Sequence, residues 1–150
     1  MEIETEKFTL NPPQSNDFLM VNLNDQGEEL ILIPGISKNE KEDLYFKINS
    51  KKNLEIFDSP ISQRCGHAYA KDEKQRKMWI FGGKDRSNNL LDQFWQISYN
   101  QNDQLQFQLI SCNPNLPGKR TSSSMFRYKD HLYLYGGITE SGNTSSDLFK

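Results

Sequence analysis

A block of four apolar residues followed by a turn pair occurs three times in this chain of 150 residues. The blocks are residues 30–33, 78–81 and 132–135, and they begin 48 and 54 residues apart. A repeat of this length indicates similar supersecondary units stacked against one another, because one such unit cannot bury its apolar surface alone. No other feature of the sequence constrains its fold as strongly.

Three further landmarks recur in the same order around these blocks. The turn pairs are Pro34-Gly35, Gly82-Gly83 and Gly136-Gly137. An Asp before apolar and aromatic residues follows the first turn residue by 9, 10 and 11 positions, at Asp43, Asp92 and Asp147. Arg64 and Arg120 precede their blocks by 14 and 12 residues, with Asn16 at the matching place in the first copy. Four landmarks in one order indicate a true repeat.

The apolar blocks predict strands that are buried on both faces. They are short, rich in aliphatic and aromatic residues, and show no polar alternation. A strand of this kind must belong to a sheet that lies between two others. The Asp-containing blocks open a further strand, and residues 54–57 and 107–110 predict another strand in the first two copies. These are three of the four short strands that make up one blade of a β-propeller in about 50 residues.

On these residues the chain resembles the kelch-repeat family, which shares its propeller type with galactose oxidase. The resemblance is carried by residues 64–67, 78–83 and 92–95, and again by residues 117–120, 132–137 and 147–149. In the first copy, Pro34-Gly35 replaces the double glycine. The resemblance implies an all-β fold, namely an incomplete kelch-type β-propeller of about two and a half four-stranded antiparallel blades. We expect a degenerate repeat at about residues 12–58, a repeat at about 60–112 and a truncated repeat at about 116–150.

Propellers close with about 4–8 blades, which is more than this chain contains. We therefore expect an N-terminal fragment of a longer propeller, with the remaining blades C-terminal to Lys150. The alternative is that the chain folds alone as a small β-protein. A local alternative also exists for residues 37–48, because Ser37 and Glu40 fit a capping box and predict a helix. The alignment of Asp43 with the other two copies favours a strand there.

Signals for catalysis and for bound cofactors are nearly absent. The sequence contains no Gly-x-Ser-x-Gly, His-Glu-x-x-His or phosphate-loop lysine motif. Cys65 and His67 fit one face of a strand, as a metal site would need, but the third copy has Thr121 and Ser123 there. We expect no metal and no cofactor. The net charge of −2 does not favour nucleic-acid binding, and the longest aliphatic run is too short for a membrane span.

The residues of the kelch-like motif are interpreted as structural. They are Arg64, His67, Gly82, Gly83, Asp92, Arg120, Gly136, Gly137 and Asp147. Glycine permits a positive φ and a close approach of two backbones. A planar guanidinium with five donors is able to join the backbones of neighbouring blades. The alternative for the two arginines is binding of an anion or an acidic peptide.

The loop after the second apolar block is the predicted binding site. It carries Lys84, Asp85, Arg86 and Asn88 and has no apolar residue over positions 84–89. Its counterpart in the third copy, residues 138–143, is expected to differ from it in length and charge. Such divergence is expected if each loop has a separate binding function. The alternative is that the loop has no function and that its sequence has diverged for that reason.

The resemblance implies a non-enzymatic protein–protein interaction module of scaffold or adaptor type with a protein partner. The alternatives are the N-terminal part of a kelch-type propeller enzyme, or a substrate receptor of a ubiquitin ligase. The catalytic residues of the propeller enzymes have no matching positions in this sequence. Two cysteines without Cys-x-x-Cys spacing, and an acidic N-terminus, indicate a cytoplasmic protein. Kelch proteins associated with the cytoskeleton fit that location.

Overall fold

The computed structural model describes residues 18–23, 30–36, 44–48, 54–110 and 117–150. Within these ranges the regular structure is entirely β, as predicted. Asn16, Asp43 and Cys112 lie outside the described residues.

Two sheets have four strands each. The first consists of β1 (Phe18–Asn22), β2 (Leu30–Pro34), β3 (Leu44–Ile48) and β4 (Leu54–Asp58). The second consists of β5 (Ala68–Asp72), β6 (Lys77–Phe81), β7 (Phe94–Tyr99) and β8 (Leu105–Leu109). In both sheets the strands lie side by side in chain order, and every neighbouring pair is antiparallel.

The third repeat forms a smaller sheet and a separate short ladder. Its strands are β9 (Arg120–Thr121), β10 (Ser124–Tyr128), β11 (His131–Tyr135), β12 (Ile138–Thr139) and β13 (Leu148–Phe149). The sheet has the order β10-β11-β13, and β9 pairs with β12. The prediction of two complete antiparallel sheets and an incomplete third is confirmed.

The three apolar blocks form β2, β6 and β11, and each pairs with strands of its own sheet. The helix considered over residues 37–48 is wrong for residues 44–48. Those residues form β3, which pairs with β2 on one side and β4 on the other. A helix there would leave the facing edges of both neighbours without their hydrogen-bond partners. The other part of that segment, residues 37–43, lies outside the described residues.

The strand β6 is buried on both faces, as predicted. Met78 and Ile80 pack in a cluster that contains Ile31 of the first sheet. Phe81, which points to the opposite face, packs with Leu134 of the third sheet. The second sheet therefore lies between the other two.

The strand β11 is different, because only one of its faces is covered. Leu134 is buried against the second sheet, whereas Tyr135 is 50% exposed. Phe81 occupies the corresponding position of β6, directly before the double glycine, and is 3% exposed. The expectation of burial on both faces is therefore wrong for the third block, since no described sheet lies against the face that carries Tyr135.

Two hairpins of different length explain the unequal spacing from arginine to apolar block. Asp72 pairs with Lys77 across the β5–β6 hairpin, which leaves four residues in the turn. Tyr128 pairs with His131 across the β10–β11 hairpin, which leaves two. The difference of two residues is absorbed in the hairpin, so both arginines reach equivalent places in their repeats.

The first strands of the second and third sheets, β5 and β10, lie against each other. A groove of about 440 Å³ runs between them and is lined by residues 67–71 and 123–127. The Arg127 Nη1 group lies 3.1 Å from Oδ2 of Asp72, whose side chain is 5% exposed. This ion pair joins the two sheets at the end of the groove near the hairpins.

Candidate protein-binding site

The double glycine of the second repeat is in direct backbone contact with the third repeat. The N–H of Gly83 donates to the carbonyl oxygen of Arg120 at 2.9 Å, and the N–H of Arg120 donates to that of Leu91 at 3.1 Å. Gly82 and Gly83 have φ angles of +67° and +94°. A Cβ atom at Gly82 would lie 2.5 Å from the Arg120 carbonyl oxygen. Glycine is needed here both for its conformation and for the space.

The buried guanidinium of Arg64 binds acceptors within its own repeat. Its Nε group donates to the carbonyl oxygen of Ser62 at 3.1 Å, and Nη1 donates to that of Gly82 at 3.3 Å. Its Nη2 group donates to Oε1 of Gln93 at 2.6 Å. The side chain thus connects the segment before β5 to both ends of the loop between β6 and β7.

Arg120 repeats this arrangement in the third repeat. Its Nε group donates to the carbonyl oxygen of Gly118 at 3.1 Å, and Nη1 donates to that of Gly136 at 3.0 Å. The guanidinium also lies over the ring of Phe149, with its carbon 4.8 Å from the ring centroid. The recurrence of the two arginines predicts that their guanidinium groups join neighbouring blades. The side-chain hydrogen bonds of Arg120 instead stay in the third repeat, and its main-chain hydrogen bonds make the connection to the second repeat.

The loop over residues 84–89 is organised around Asp85. The carboxylate accepts hydrogen bonds from the N–H groups of Ser87 and Asn89, both at 2.8 Å, and from Nδ2 of Asn89 at 2.9 Å. These hydrogen bonds, first of all that from the Asn89 side chain, lower the pKa of Asp85 below its ordinary value. The negative charge of the loop is therefore used to hold the loop's own backbone.

Both cationic residues of the loop are held by contacts with the segment that precedes β5. The backbone of Lys84 pairs with that of Cys65 through hydrogen bonds of 3.0 and 2.9 Å. The Nε group of Arg86 donates to Oε1 of the buried Gln63 at 3.2 Å. Neither the Lys84 ammonium nor the Nη groups of Arg86 donate to an acceptor in the described part of the chain. The loop thus presents two cations on a defined backbone.

The counterpart in the third repeat has the same backbone closure. The N–H of Thr139 donates to the carbonyl oxygen of Asn143 at 3.1 Å, as the N–H of Asp85 donates to that of Asn89 at 3.0 Å. Asn88 and Gly142 occupy equivalent positions with φ angles of 63° and 77°. The expected difference in loop length is therefore wrong, and the two loops differ in their side chains alone.

Comparison with models of protein families matches residues 18–150 to the KLHDC2/KLHL20/DRC7 Kelch-repeats domain. The chain belongs to the kelch-repeat family. This confirms the resemblance inferred from the sequence. The four-stranded antiparallel sheets are kelch blades, and the described residues form part of a propeller. Membership in this family suggests a protein-interaction module.

The blades correct the alignment of one predicted motif residue. The N–H of Gly82 donates to the carbonyl oxygen of Gln93 at 3.1 Å, and the N–H of Gly136 donates to that of Asp147 at 3.0 Å. Gln93, not Asp92, therefore occupies the position of Asp147. Asp92 is exposed one residue earlier, and the carboxylate of Asp147 accepts from Oγ of its neighbour Ser145 at 2.7 Å.

His67 and Cys65 lie where β5 begins, beside the double glycine. A Cβ atom at Gly83 would lie 3.1 Å from Cβ of His67 and 2.8 Å from the carbonyl oxygen of Cys65. Among the described residues no group of three His, Cys, Asp or Glu side chains is arranged to hold a metal ion. In the same part of the chain no helix has the length and apolar character of a membrane span.

Two glutamines that the sequence did not single out support the kelch motif in this blade. Gln63 accepts from Arg86, and Gln93 accepts from both Arg64 and Nε1 of Trp95, the latter at 3.4 Å. Neither glutamine recurs in the third repeat, where Lys119 and Asp147 hold the equivalent places. Comparison of the copies therefore had no signal that would have found them.

Proposed function

We propose that this chain is a non-enzymatic protein-interaction module of scaffold or adaptor type, and that residues 84–89 bind an acidic surface of a protein partner. The observation that supports this site is the charge arrangement of the loop. The Asp85 carboxylate is bound by Ser87 and Asn89, while the Lys84 ammonium and the two Nη groups of Arg86 donate to no acceptor among the described residues. Complementary charge raises the association rate and excludes partners of the same sign.

The rigidity of the loop also supports this function. Both ends of the loop are held by backbone hydrogen bonds, because Lys84 pairs with Cys65 and the N–H of Leu91 donates to the carbonyl oxygen of Gly83 at 2.9 Å. A loop that is ordered before binding loses little conformational entropy when a partner docks. Binding residues on loops that a rigid scaffold holds are the usual arrangement in such folds.

The test compares partner recovery by the wild type and by the double variant Lys84→Glu with Arg86→Glu. We expect intact folding and reduced recovery of protein partners from cell extract, with the loss largest at low ionic strength. The control is Lys74→Glu with Lys129→Glu, which changes the net charge equally at two exposed hairpin positions. Equal recovery by all three proteins would place the binding surface elsewhere.

We further propose that the open face of the third blade packs against another kelch blade. Tyr135 and Leu148 are 50% and 62% exposed, although Phe81, the equivalent of Tyr135, is buried between two sheets. Exposed apolar surface of this kind favours a covering partner. A transcript that encodes repeats at about 50-residue spacing after Lys150 is the expected observation. A stop codon directly after it would contradict this proposal.

A further inference from the structure

We propose that Gln63 is a positioning residue. It orients the guanidinium of Arg86 so that this group binds a carboxylate side chain of an acidic partner. The inference rests on the function proposed for residues 84–89, and it names the residue that makes Arg86 prefer a carboxylate to a neutral acceptor. It follows from the contact between Gln63 and Arg86, and from the pair that replaces them in the third blade.

The acceptor in this contact is fixed by the core. Gln63 is 3% exposed and directly precedes Arg64, which is 1% exposed and bound to Gly82 and Gln93. Its Oε1 atom accepts from the Nε group of Arg86 at 3.2 Å. The flexible, exposed side chain of Arg86 is therefore held by a buried residue that lies 23 positions earlier in the sequence.

This contact determines which edge of the guanidinium a partner meets. An arginine binds carboxylates in a bidentate manner with two neighbouring N–H groups, either through Nε and one Nη group or through both Nη groups. Since Nε of Arg86 donates inward to Gln63, the edge formed by the two Nη groups is left for a partner. A carboxylate matches that edge, whereas a neutral acceptor gains less from it.

In the third blade, the residue at the position equivalent to Gln63 is charged. Lys119 directly precedes Arg120, as Gln63 precedes Arg64, and Glu140 follows its double glycine as Arg86 does. The Nζ group of Lys119 lies 3.2 Å from Oε1 of Glu140. Both blades therefore join the same two positions. In the third blade the two charges neutralise each other, while the neutral Gln63 leaves the charge of Arg86 available.

The test measures binding of an acetylated and amidated hexaglutamate peptide by fluorescence anisotropy at low salt. We expect Gln63→Leu to weaken binding about 3-fold, which is the size of a typical exposed charge interaction. Gln63→Glu is isosteric and copies the neutralised pair of the third blade, so we expect a loss of about 10-fold. In the Arg86→Lys background, which lacks the Nε donor, Gln63→Leu is expected to change nothing.

A gain of binding is expected from the reciprocal change in the third blade. Lys119→Gln with Glu140→Arg places a neutral glutamine and an arginine at the positions equivalent to Gln63 and Arg86. We expect this variant to have a second site for the peptide. A direct readout is the Nε–H of Arg86, whose exchange with solvent is slow in the wild type and fast in Gln63→Leu. This readout does not require a peptide, and an unchanged exchange rate in Gln63→Leu would show that Gln63 does not hold Arg86.

The outcomes separate this inference from the proposed function. If Lys84→Glu with Arg86→Glu leaves peptide binding unchanged, the loop is not the acidic-partner site and both proposals fail. If that variant loses binding while Gln63→Leu and Gln63→Glu keep it, the loop binds without positioning by Gln63. Equal weakening by Gln63→Leu with and without Arg86→Lys would likewise overturn the inference. Thermal unfolding of each variant shows whether the fold is retained.

Discussion

The N–H of Gly83 donates a 2.9 Å hydrogen bond to the carbonyl oxygen of Arg120, and so joins the second kelch blade to the strand that opens the third. The same Arg120 directs its guanidinium to Gly136 in its own blade. One residue thus connects two double glycines, one through its main chain and one through its side chain. This arrangement explains why the glycines and the arginines recur together along the sequence.

Replacement of Gly82 is expected to destabilise the chain strongly. In Gly82→Val a Cβ atom would lie 2.5 Å from the Arg120 carbonyl oxygen at a φ angle of +67°. We expect a loss of about 2 kcal/mol or more in the free energy of unfolding, measured with urea. Gly118→Val is the control, since a Cβ atom there meets nothing within 4 Å, and its effect should stay within about 0.5 kcal/mol. Equal effects of the two substitutions would contradict the assigned role of Gly82.

The two buried arginines are expected to differ in their contribution to stability. Lysine lacks the planar fork, so both Arg64→Lys and Arg120→Lys leave carbonyl acceptors without their donor. Arg64→Lys also removes the 2.6 Å hydrogen bond to Gln93, for which Arg120 has no equivalent. We expect about 1 kcal/mol more loss of unfolding free energy for Arg64→Lys than for Arg120→Lys. Urea midpoints of the two variants test this order, and the reverse order would show that Gln93 adds little.

The ion pair between Asp72 and Arg127 is expected to couple the second and third blades. The Asp72 side chain is 5% exposed, and burial reduces screening by water and salt. A double-mutant cycle with Asp72→Asn and Arg127→Gln should give a coupling free energy of about 1 kcal/mol or more. The exposed pair of Lys119 and Glu140 serves as comparison and should give about 0.5 kcal/mol or less. Coupling of equal size in both pairs would mean that burial of Asp72 has no effect.

The carboxyl group of Asp85 is expected to titrate below its ordinary pKa of 3.8. Because the folded state has the lower pKa, the loop gains stability from the ionised form above the ordinary pKa. This contribution is lost as the pH falls through the folded pKa. Carbon-detected NMR titration measures the value. Asn89→Ala removes the largest cause and should raise the pKa of Asp85, whereas Asn88→Ala, whose side chain makes no described hydrogen bond, should not. An unchanged pKa in Asn89→Ala would contradict this account.

Local patterns in the sequence were sufficient for the fold. The apolar run of β6, the double glycine after it and the recurrence in β11 predicted both the strands and the kelch family. The reason is that strand formation and turn chemistry depend on near neighbours in sequence. A doubly buried strand needs apolar residues on both faces, and a backbone at positive φ needs glycine, whatever lies elsewhere in the chain.

Tertiary structure decided which residues of different segments meet. The equivalence of Gln93 to Asp147, the four-residue hairpin before β6 and the exposure of Tyr135 all depend on register and on what packs against each sheet. The pairing of Gln63 with Arg86 belongs to the same class, because it joins two non-adjacent segments that only the folded blade brings together. Sequence by itself determined the repeat, the glycine turns and the strands that the apolar and Asp-containing blocks form, whereas β1, β5 and β10 were placed by the structure. Only packing decided how its charges are paired, since an ion pair or hydrogen bond depends on distances that a linear pattern does not contain.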